Sequence, residues 1–560
     1  MSSRNPDRDD HVHPPLAGLP VFGDVPDSAS ELNGAPAEPA RSPMGVLAAA
    51  SRASSTAPEH SAVPQPPQAP TLMAAEKEPP DEETTEEDST LESLHIDLGP
   101  RLDPLEVELL VEDATERDQA HRLSRQREAS EAAAEGRAAP EFTADDELAL
   151  GASICSDVVA RHMDTIARSG GKVHDRKTQE ALVRAVFDHL YRLGPLQPIV
   201  EAPDVENILI NGKHCTIMRP DMSIVEIRSP FSSNQELVAW LQNVANRDPA
   251  GGREFAPVSP GLRLNLPGGI RLAALHWTTQ EPAVAIRLHR HKDIDLERLV
   301  DMGVMDARLA PILTAAARGG ATTVISGPMG VGKTTLLRAL VAALPVQTRI
   351  GTAETERELF LHEMPGRAPH VISAEVIQGG GEVNPVTGLK EGSYSLDDIL
   401  YEFVRHQLEL VIVGEVAGIE VLALFKAMQM TKGSLTTTHA FNPRKAIHRL
   451  ATLAMGAGVS EAYGERVVAE HVNLIIQLNT DWEVVTAEHR IGRRYISEVA
   501  WVEPDADTAR PRLTTVYKGR PGGAGRFGTF PPELRDRLAS VGLGSNDIPP
   551  NELFTRSEQE

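Results

Sequence analysis

One segment constrains this chain more than any other. Residues 327–334 read Gly-Pro-Met-Gly-Val-Gly-Lys-Thr, a full GxxxxGK[ST] pattern, which belongs where a strand turns through a glycine-rich loop into a helix. The flanks agree. Thr322-Thr-Val-Ile-Ser326 is a β-branched run suited to a buried strand, and Thr335 to Leu344 is a helical run stopped by Pro345. The residue types have a physical purpose. Gly327, Gly330 and Gly332 let backbone N–H groups close around phosphate with no Cβ in the way. The helix N-terminus aims about half a positive charge at the same anion. The expected cradle is Gly327, Gly330, Val331, Gly332, Lys333, Thr334 and Thr335. Lys333 would reach the β- and γ-phosphates and the Thr334 hydroxyl would help hold Mg²⁺, so ATP and Mg²⁺ are the expected cofactors.

Such a loop needs a partner carboxylate. Leu408-Glu-Leu-Val-Ile-Val-Gly-Glu-Val416 is an apolar strand that ends on Glu415. An acid just past a buried parallel strand can orient the metal or the attacking water. Glu409, at the strand entrance, reads as solvated instead.

Elsewhere the chain divides by composition. Its 560 residues allow about three domains. Residues 1–140 hold 11 Lys+Arg against 28 Asp+Glu, the first 100 carry 16 of the 42 prolines, and Phe22 is the only aromatic before Phe142. That stretch cannot bury enough apolar surface to offset its ordering entropy, so residues 1–100 are expected to be a disordered acidic tail. Residues 101–140 read as a helical linker. From Ala144, Leu148, Leu150, Ile154, Val158 and Val159 recur at helical spacing, and a second helix runs from about Thr178 to a stop at Gly194-Pro195. Strand-like stretches follow at Val205–Gly212, Thr216–Met218, Ile224–Ile227, Gly261–Leu266, Arg271–His276 and Ala283–Leu288. Residues 141–297 are therefore expected to form an α+β domain. Residues 298–520 alternate strands and helices, which implies a parallel sheet covered by helices. Residues 521–560 form a C-terminal extension.

Several chemistries are excluded or disfavoured. A net charge of −25 argues against nucleic-acid binding as the main activity, so no direct nucleic-acid contact is expected. The basic pieces at 287–292 and 490–494 are short and suit subunit or nucleotide contacts. The 19 histidines are scattered with no HExxH, and His289-Arg-His291 lacks ligands at zinc spacing. There is no Gly-x-Ser-x-Gly elbow. Two cysteines, Cys155 and Cys215, point to a reducing cytoplasm. No apolar run spans a membrane, and the polar N-terminus does not read as a secretory signal.

Four stretches together resemble the secretion and traffic NTPases of type II and type IV secretion, pilus assembly and conjugal transfer, with the tight-adherence (Flp) and conjugation branch the nearest likeness. They are Gly194-Pro-Leu-Gln-Pro198 with Ile208-Leu-Ile-Asn-Gly212, the 327–334 loop, Arg349-Ile-Gly-Thr-Ala-Glu-Thr-Glu-Arg-Glu-Leu359, and Val413-Gly-Glu-Val416 followed by Gly433-Ser-Leu-Thr-Thr-Thr-His-Ala440. The resemblance spans roughly residues 145–545. It implies that Glu354 and Glu358 organise Mg²⁺ and water, with Thr334, Glu354 and Glu415 nearest the metal. It further implies that His439 positions the γ-phosphate region and that Arg271 and Arg287 close over nucleotide. Read without it, His439 could be structural, the arginines surface ion-pair residues, and Glu354 and Glu358, four apart, helix caps.

The chain also departs from the family pattern. Thr355 stands where an Asp usually follows the first Glu, Ala417 where Gly-Glu-x-Arg-Gly has arginine, Arg405-His-Gln407 where Arg-Pro-Asp is usual, and Asn265 where a turn arginine is usual. The loop Gln378–Gly388 is unusual too. The fold class expected is α/β: a RecA-like P-loop NTPase domain with a parallel sheet, behind an α+β N-terminal domain and a disordered tail. The function implied is that of an ATP-hydrolysing hexameric motor, cytoplasmic and peripheral to the inner face of the cytoplasmic membrane. It would act on an inner-membrane platform protein to power Flp/Tad pilus assembly or protein export. A conjugal DNA-transfer ATPase and a weakly active ATP-binding scaffold are the alternatives.

Overall fold

A computed structural model describes residues 100, 102–138, 142–247, 253–289, 294–379, 390–486 and 490–552. The expected acidic tail lies outside these, apart from Pro100, as do residues 290 and 291 of the histidine cluster and most of the 378–388 loop.

Three helices come first: α1 (Pro104–Ala134), α2 (Ala144–Arg168) and α3 (Arg176–Tyr191). Their starts follow from side-chain capping. Asp103 accepts from the Leu105 N–H ahead of α1, Thr143 and Asp146 form a reciprocal capping box, and Asp175 accepts from the Thr178 N–H. The apolar stripes of α2 and α3 bury Ile154, Val158, Val159, Leu182 and Val186, and Leu110 and Ala114 of α1 join them. Leu148, expected on this stripe, is exposed. Polar ties fix the docking of α1: Tyr191 donates to Asp118 at 2.8 Å, and the Glu106 carboxylate lies between His162 and His174. The first half of α1 is thus part of a packed bundle rather than a free linker.

After the short α4 (Gln197–Glu201), strands β1 (Asn207–Asn211), β2 (His214–Met218) and β3 (Ile224–Arg228) lead to α5 (Asn234–Asn246). Then come β4 (Gly261–Leu266), β5 (Ile270–Leu275) and β6 (Ala283–Leu288). The six strands lie in the order β3-β2-β1-β6-β5-β4, every neighbouring pair antiparallel. Alternation decides the faces. Leu262, Leu264, Leu272, Val284 and Ile286 point to a core shared with Leu237, Trp240 and Leu241 of α5. Each such side chain, fully buried, contributes roughly 1.5–3 kcal/mol. The intervening positions Arg263, Asn265, Arg271 and Arg287 therefore fall on the opposite face.

The larger half opens with α6 (Leu296–Asp301), α7 (Ala310–Arg318), β7 (Thr323–Ser326), α8 (Lys333–Ala342), β8 (Ile350–Glu354), β9 (Val371–Glu375) and the two-residue strands β10 (Ile377–Gln378) and β11 (Ser393–Tyr394). It continues through α9 (Leu396–Phe403), β12 (Leu410–Glu415), α10 (Glu420–Met430), β13 (Ser434–Thr438), α11 (Pro443–Gly456) and α12 (Glu461–His471). It closes with β14 (Leu474–Val484), β15 (Arg490–Pro504), β16 (Pro511–Arg520), β17 (Gly523–Phe527) and α13 (Pro532–Ala539). Nine strands form one mixed sheet in the order β17-β16-β15-β14-β7-β13-β12-β8-β9. From β14 through β9 all neighbours pair in parallel, whereas β14 to β17 form an antiparallel meander. Helices bury both faces of the parallel part, which explains why β7, β8 and β13 are buried along their whole length. Phe527, Phe530, Leu534 and Leu538 share one core with Ile325, Leu336 and Leu340, so β17 and α13 are built into the larger half.

Candidate functional site

Topology alone orders the site. Ligands of open α/β sheets bind beyond the carboxyl ends of the strands. The neighbouring strands β7, β13, β12 and β8 end next to Lys333, His439, Glu415 and Glu354 respectively, so these side chains must lie in that sequence along the sheet edge. The distances agree. Lys333 Nζ lies 3.1 Å from His439 Nδ1, and His439 Nε2 lies 2.9 Å from Glu415 Oε1. A lysine ammonium can only donate, so Nδ1 accepts and Nε2 carries the proton toward Glu415. That bond holds the Glu415 carboxyl below its ordinary range, against the opposing effect of burial. β13 separates β12 from β7, and the histidine spans the gap.

The loop has the expected shape. Gly332 stands at the N-cap of α8 with φ 94°, a left-handed conformation that favours glycine. A Cβ on Gly327 would come within 2.7 Å of the Leu478 carbonyl oxygen. No side chain caps α8, which leaves its first N–H groups available to an anion. Lys333 is buried and donates to the carbonyls of Gly327 at 3.1 Å and Pro328 at 2.9 Å, and burial pulls its pKa down to about 8. Val331 packs into the core, while Gly330, Thr334 and Thr335 stay partly accessible.

The two predicted glutamates differ in surroundings. Glu354 is 2% exposed. Its carboxylate accepts from the Glu358 N–H at 2.8 Å, the Leu359 N–H at 2.9 Å and the Thr352 hydroxyl at 3.0 Å. Burial nevertheless lifts its pKa to about 7. Glu358 is half-buried and receives the Thr334 hydroxyl at 3.4 Å. Hydroxyl and carboxylate oxygens so placed are hard donors of the kind Mg²⁺ takes, so these residues fit that ion.

The N-terminal sheet faces this row. Arg271 forms ion pairs with Glu356 and Glu358, and Arg263 reaches Glu356 at 3.3 Å. Arg271 and Arg287 are direct cross-strand partners in the β5–β6 register. Burial holds Arg287 below the usual guanidinium range, and it has no ion pair among the described residues. Behind them Arg494 of β15 grips both oxygens of Glu206 at 3.0 and 2.9 Å.

Sequence reasoning missed Glu356, Arg263, Glu206 and Arg494 as individual contacts. The available signal for Glu356 was Thr355: the acid absent from that position reappears one residue later. Arg494 lay within the basic run 490–494, whose other members face elsewhere, Arg493 on Glu483 and Arg490 over the Trp482 ring. Among the described residues no group of three or more His, Cys, Asp or Glu could hold a metal, and no helix is long and apolar enough to cross a membrane.

A mixed α/β fold with a glycine-rich loop at the carboxyl edge of its central strands defines the class. Residues 209–512 match the family described as type II/IV secretion system protein, and the chain belongs to that family. An uncharacterized protein of Methanocaldococcus jannaschii is 28% identical over 47% of this chain, which spans only 45% of that relative. The VirB11 protein of Agrobacterium fabrum is 24% identical over 56% of this chain and 93% of its own length. The conjugal transfer protein TrbB of Rhizobium radiobacter is 29% identical over 41% and 68%. Among solved structures, the VirB11 ATPase of Brucella suis matches with a TM-score of 0.27 at 20% identity over 57% of this chain and 98% of its own. The Legionella pneumophila ATPase DotB matches with a TM-score of 0.37 at 14% identity, over 56% and 81%.

Proposed function

We propose that this chain binds Mg²⁺-ATP on the 327–335 loop and hydrolyses it, as the RecA-like motor of a type II or type IV secretion-like machine. The observation that carries the reading is the row Lys333, His439, Glu415, Glu354 set against the Arg271–Arg287 pair. Like charges directly opposite on neighbouring strands repel. A polyphosphate relieves that repulsion, takes the α8 N–H groups and gives Lys333 better partners than two loop carbonyls. Thr334 and Glu358 would hold Mg²⁺, with Glu415 and Glu354 nearby; the ion neutralises phosphate charge when bound. Glu415, kept ionised by His439, orients the attacking water. Glu354, with a carboxyl near 7, is suited to accept a proton at working pH. Arg271 and Arg287 close over the phosphates.

Family membership supports a place in a secretion machine. The finer reading is a hexamer at the cytoplasmic face of the membrane, working on an inner-membrane platform protein to drive Flp/Tad pilus assembly or protein export. The same core would serve conjugal transfer. Glu354 also favours a second reading, a nucleotide-binding scaffold with little turnover, because three donors already engage its carboxylate.

Steady-state ATP turnover by the full chain with Mg²⁺, against Lys333→Ala, tests both. Turnover lost in the variant by about 10²-fold or more supports the motor. Lysine-dependent binding without turnover leaves the scaffold. Binding indifferent to Lys333 removes both.

A further inference from the structure

Glu356 sits between the two halves and belongs to neither end of the catalytic row. Its carboxylate has two partners among the described residues, Arg271 and Arg263, both on the N-terminal sheet. Among the described residues it makes no hydrogen bond or ion pair with the 327–335 loop, unlike its neighbour Glu358, which the Thr334 hydroxyl reaches. Arg271 is mostly buried, with a side chain 18% exposed, whereas Arg263 is 73% exposed. One guanidinium is therefore held in place at the site, and the other is an outlying partner in solvent.

We propose that Glu356 is an internal stand-in for a terminal phosphate. It takes one arm of the Arg271 fork, Nη2, while Glu358 takes Nη1, so a nucleotide gains the Nη2 arm only by displacing Glu356, and a triphosphate reaches further toward it than a diphosphate does. This rests on the nucleotide reading above. Carboxylate and phosphate oxygens compete for the same guanidinium N–H donors. The exchange is cheap because Glu356 is itself one-third exposed and can stay paired with Arg263 while Arg271 turns to phosphate. Glu356 thereby opposes triphosphate binding and sets how far the site prefers triphosphate over diphosphate. It is a positioning residue acting through Arg271.

The test is equilibrium binding of a non-hydrolysable ATP analogue and of ADP, with Mg²⁺, to the full chain. The variants are Glu356→Gln, Arg271→Ala, the double variant and Lys333→Ala. Glu356→Gln should tighten the triphosphate analogue about 3–10-fold, the scale of a partly exposed ion pair, and shift ADP less than about 2-fold. The gain should vanish when Arg271 is already alanine, because the effect runs through that side chain. Equal tightening of both nucleotides, weaker binding, no change, or a gain that persists without Arg271 overturns the proposal. No nucleotide binding, or binding that survives Lys333→Ala, removes the nucleotide reading and this proposal together. Lys333-dependent binding with no response to Glu356→Gln removes the proposal alone.

Discussion

Glu354 is nearly inaccessible to solvent and accepts three hydrogen bonds, yet burial still raises its carboxyl to about 7. Desolvation therefore outweighs the donors. The sign of the consequence is fixed by linkage. A carboxyl whose folded pKa lies above its unfolded value binds extra protons in the native state between about pH 4.5 and 7. Stability falls as pH rises through that window. A glutamine suits the same surroundings: its oxygen can take the Glu358 and Leu359 N–H groups, and its amide can face the Thr352 hydroxyl. Glu354→Gln should thus be close to neutral near pH 4.5 and stabilise the chain by about 2–3 kcal/mol at pH 8. Thermal melts at the two pH values check this; a stability difference that does not grow with pH would show that burial is not what shifts the group. Turnover should fall in the same variant if the carboxylate handles a proton. At this scale the sequence carries residue identity but not which oxygen is already engaged. Glu354 and Glu358 stand equally in the motif, and only the fold turns one inward and leaves the other beside Thr334.

Arg367 shows the same limit at the level of an element. It is 3% exposed and donates to the carbonyls of Val341 and Leu344 at 2.6 Å each and Pro345 at 3.2 Å. Val341 lies in the last turn of α8, and Leu344 and Pro345 follow just past its end; the other end of that helix opens from the 327–334 loop. A guanidinium there satisfies orphan acceptors and complements the helix dipole. Arg367→Ala should cost about 2–4 kcal/mol, through lost charge-assisted bonds and unpaired buried carbonyls. Chemical denaturation would read this as a lower midpoint with an unchanged slope. A loss below about 0.5 kcal/mol would mean that water replaces the cap. Pro345 announced where the helix ends, but nothing local announced a cap arriving 22 residues later. The regular strands were legible because alternation or a β-branched run marks them. β4 and β6 span the residues read from pattern, and β7 and β12 differ from it by a residue or two at their ends. The meander was not legible. β14 is buried over its first five residues and exposed over its last four, so no single period describes it. α5 also escaped the reading, although Leu237, Trp240, Leu241 and Val244 recur at helical spacing and complete the smaller core.

Across the described residues, ion pairs tie the two halves together. Arg271 reaches Glu356 and Glu358, and Arg494 reaches Glu206. One backbone bond flanks these pairs: the Gly492 N–H donates to the Asp221 carbonyl at 2.8 Å. Glu206 offsets both Arg287, with help from Glu415, and Arg494, whose Nε has no partner of its own. Glu206→Gln leaves two guanidinium groups facing each other across the interface. The variant should lose about 1–3 kcal/mol, since one partner of a mostly buried pair is removed while the other stays. On the proposed nucleotide reading, a polyphosphate would supply negative charge to the same cluster. The deficit in melting temperature should therefore narrow with a saturating non-hydrolysable ATP analogue, beyond the ordinary stabilisation that ligand gives the parent chain. Differential scanning calorimetry of both proteins with and without analogue measures it. A deficit that the analogue leaves untouched would confine Glu206 to positioning Arg494. A deficit that closes would mean that nucleotide and Glu206 share one electrostatic task, holding the arginine face of the small sheet against the carboxyl edge of the large one.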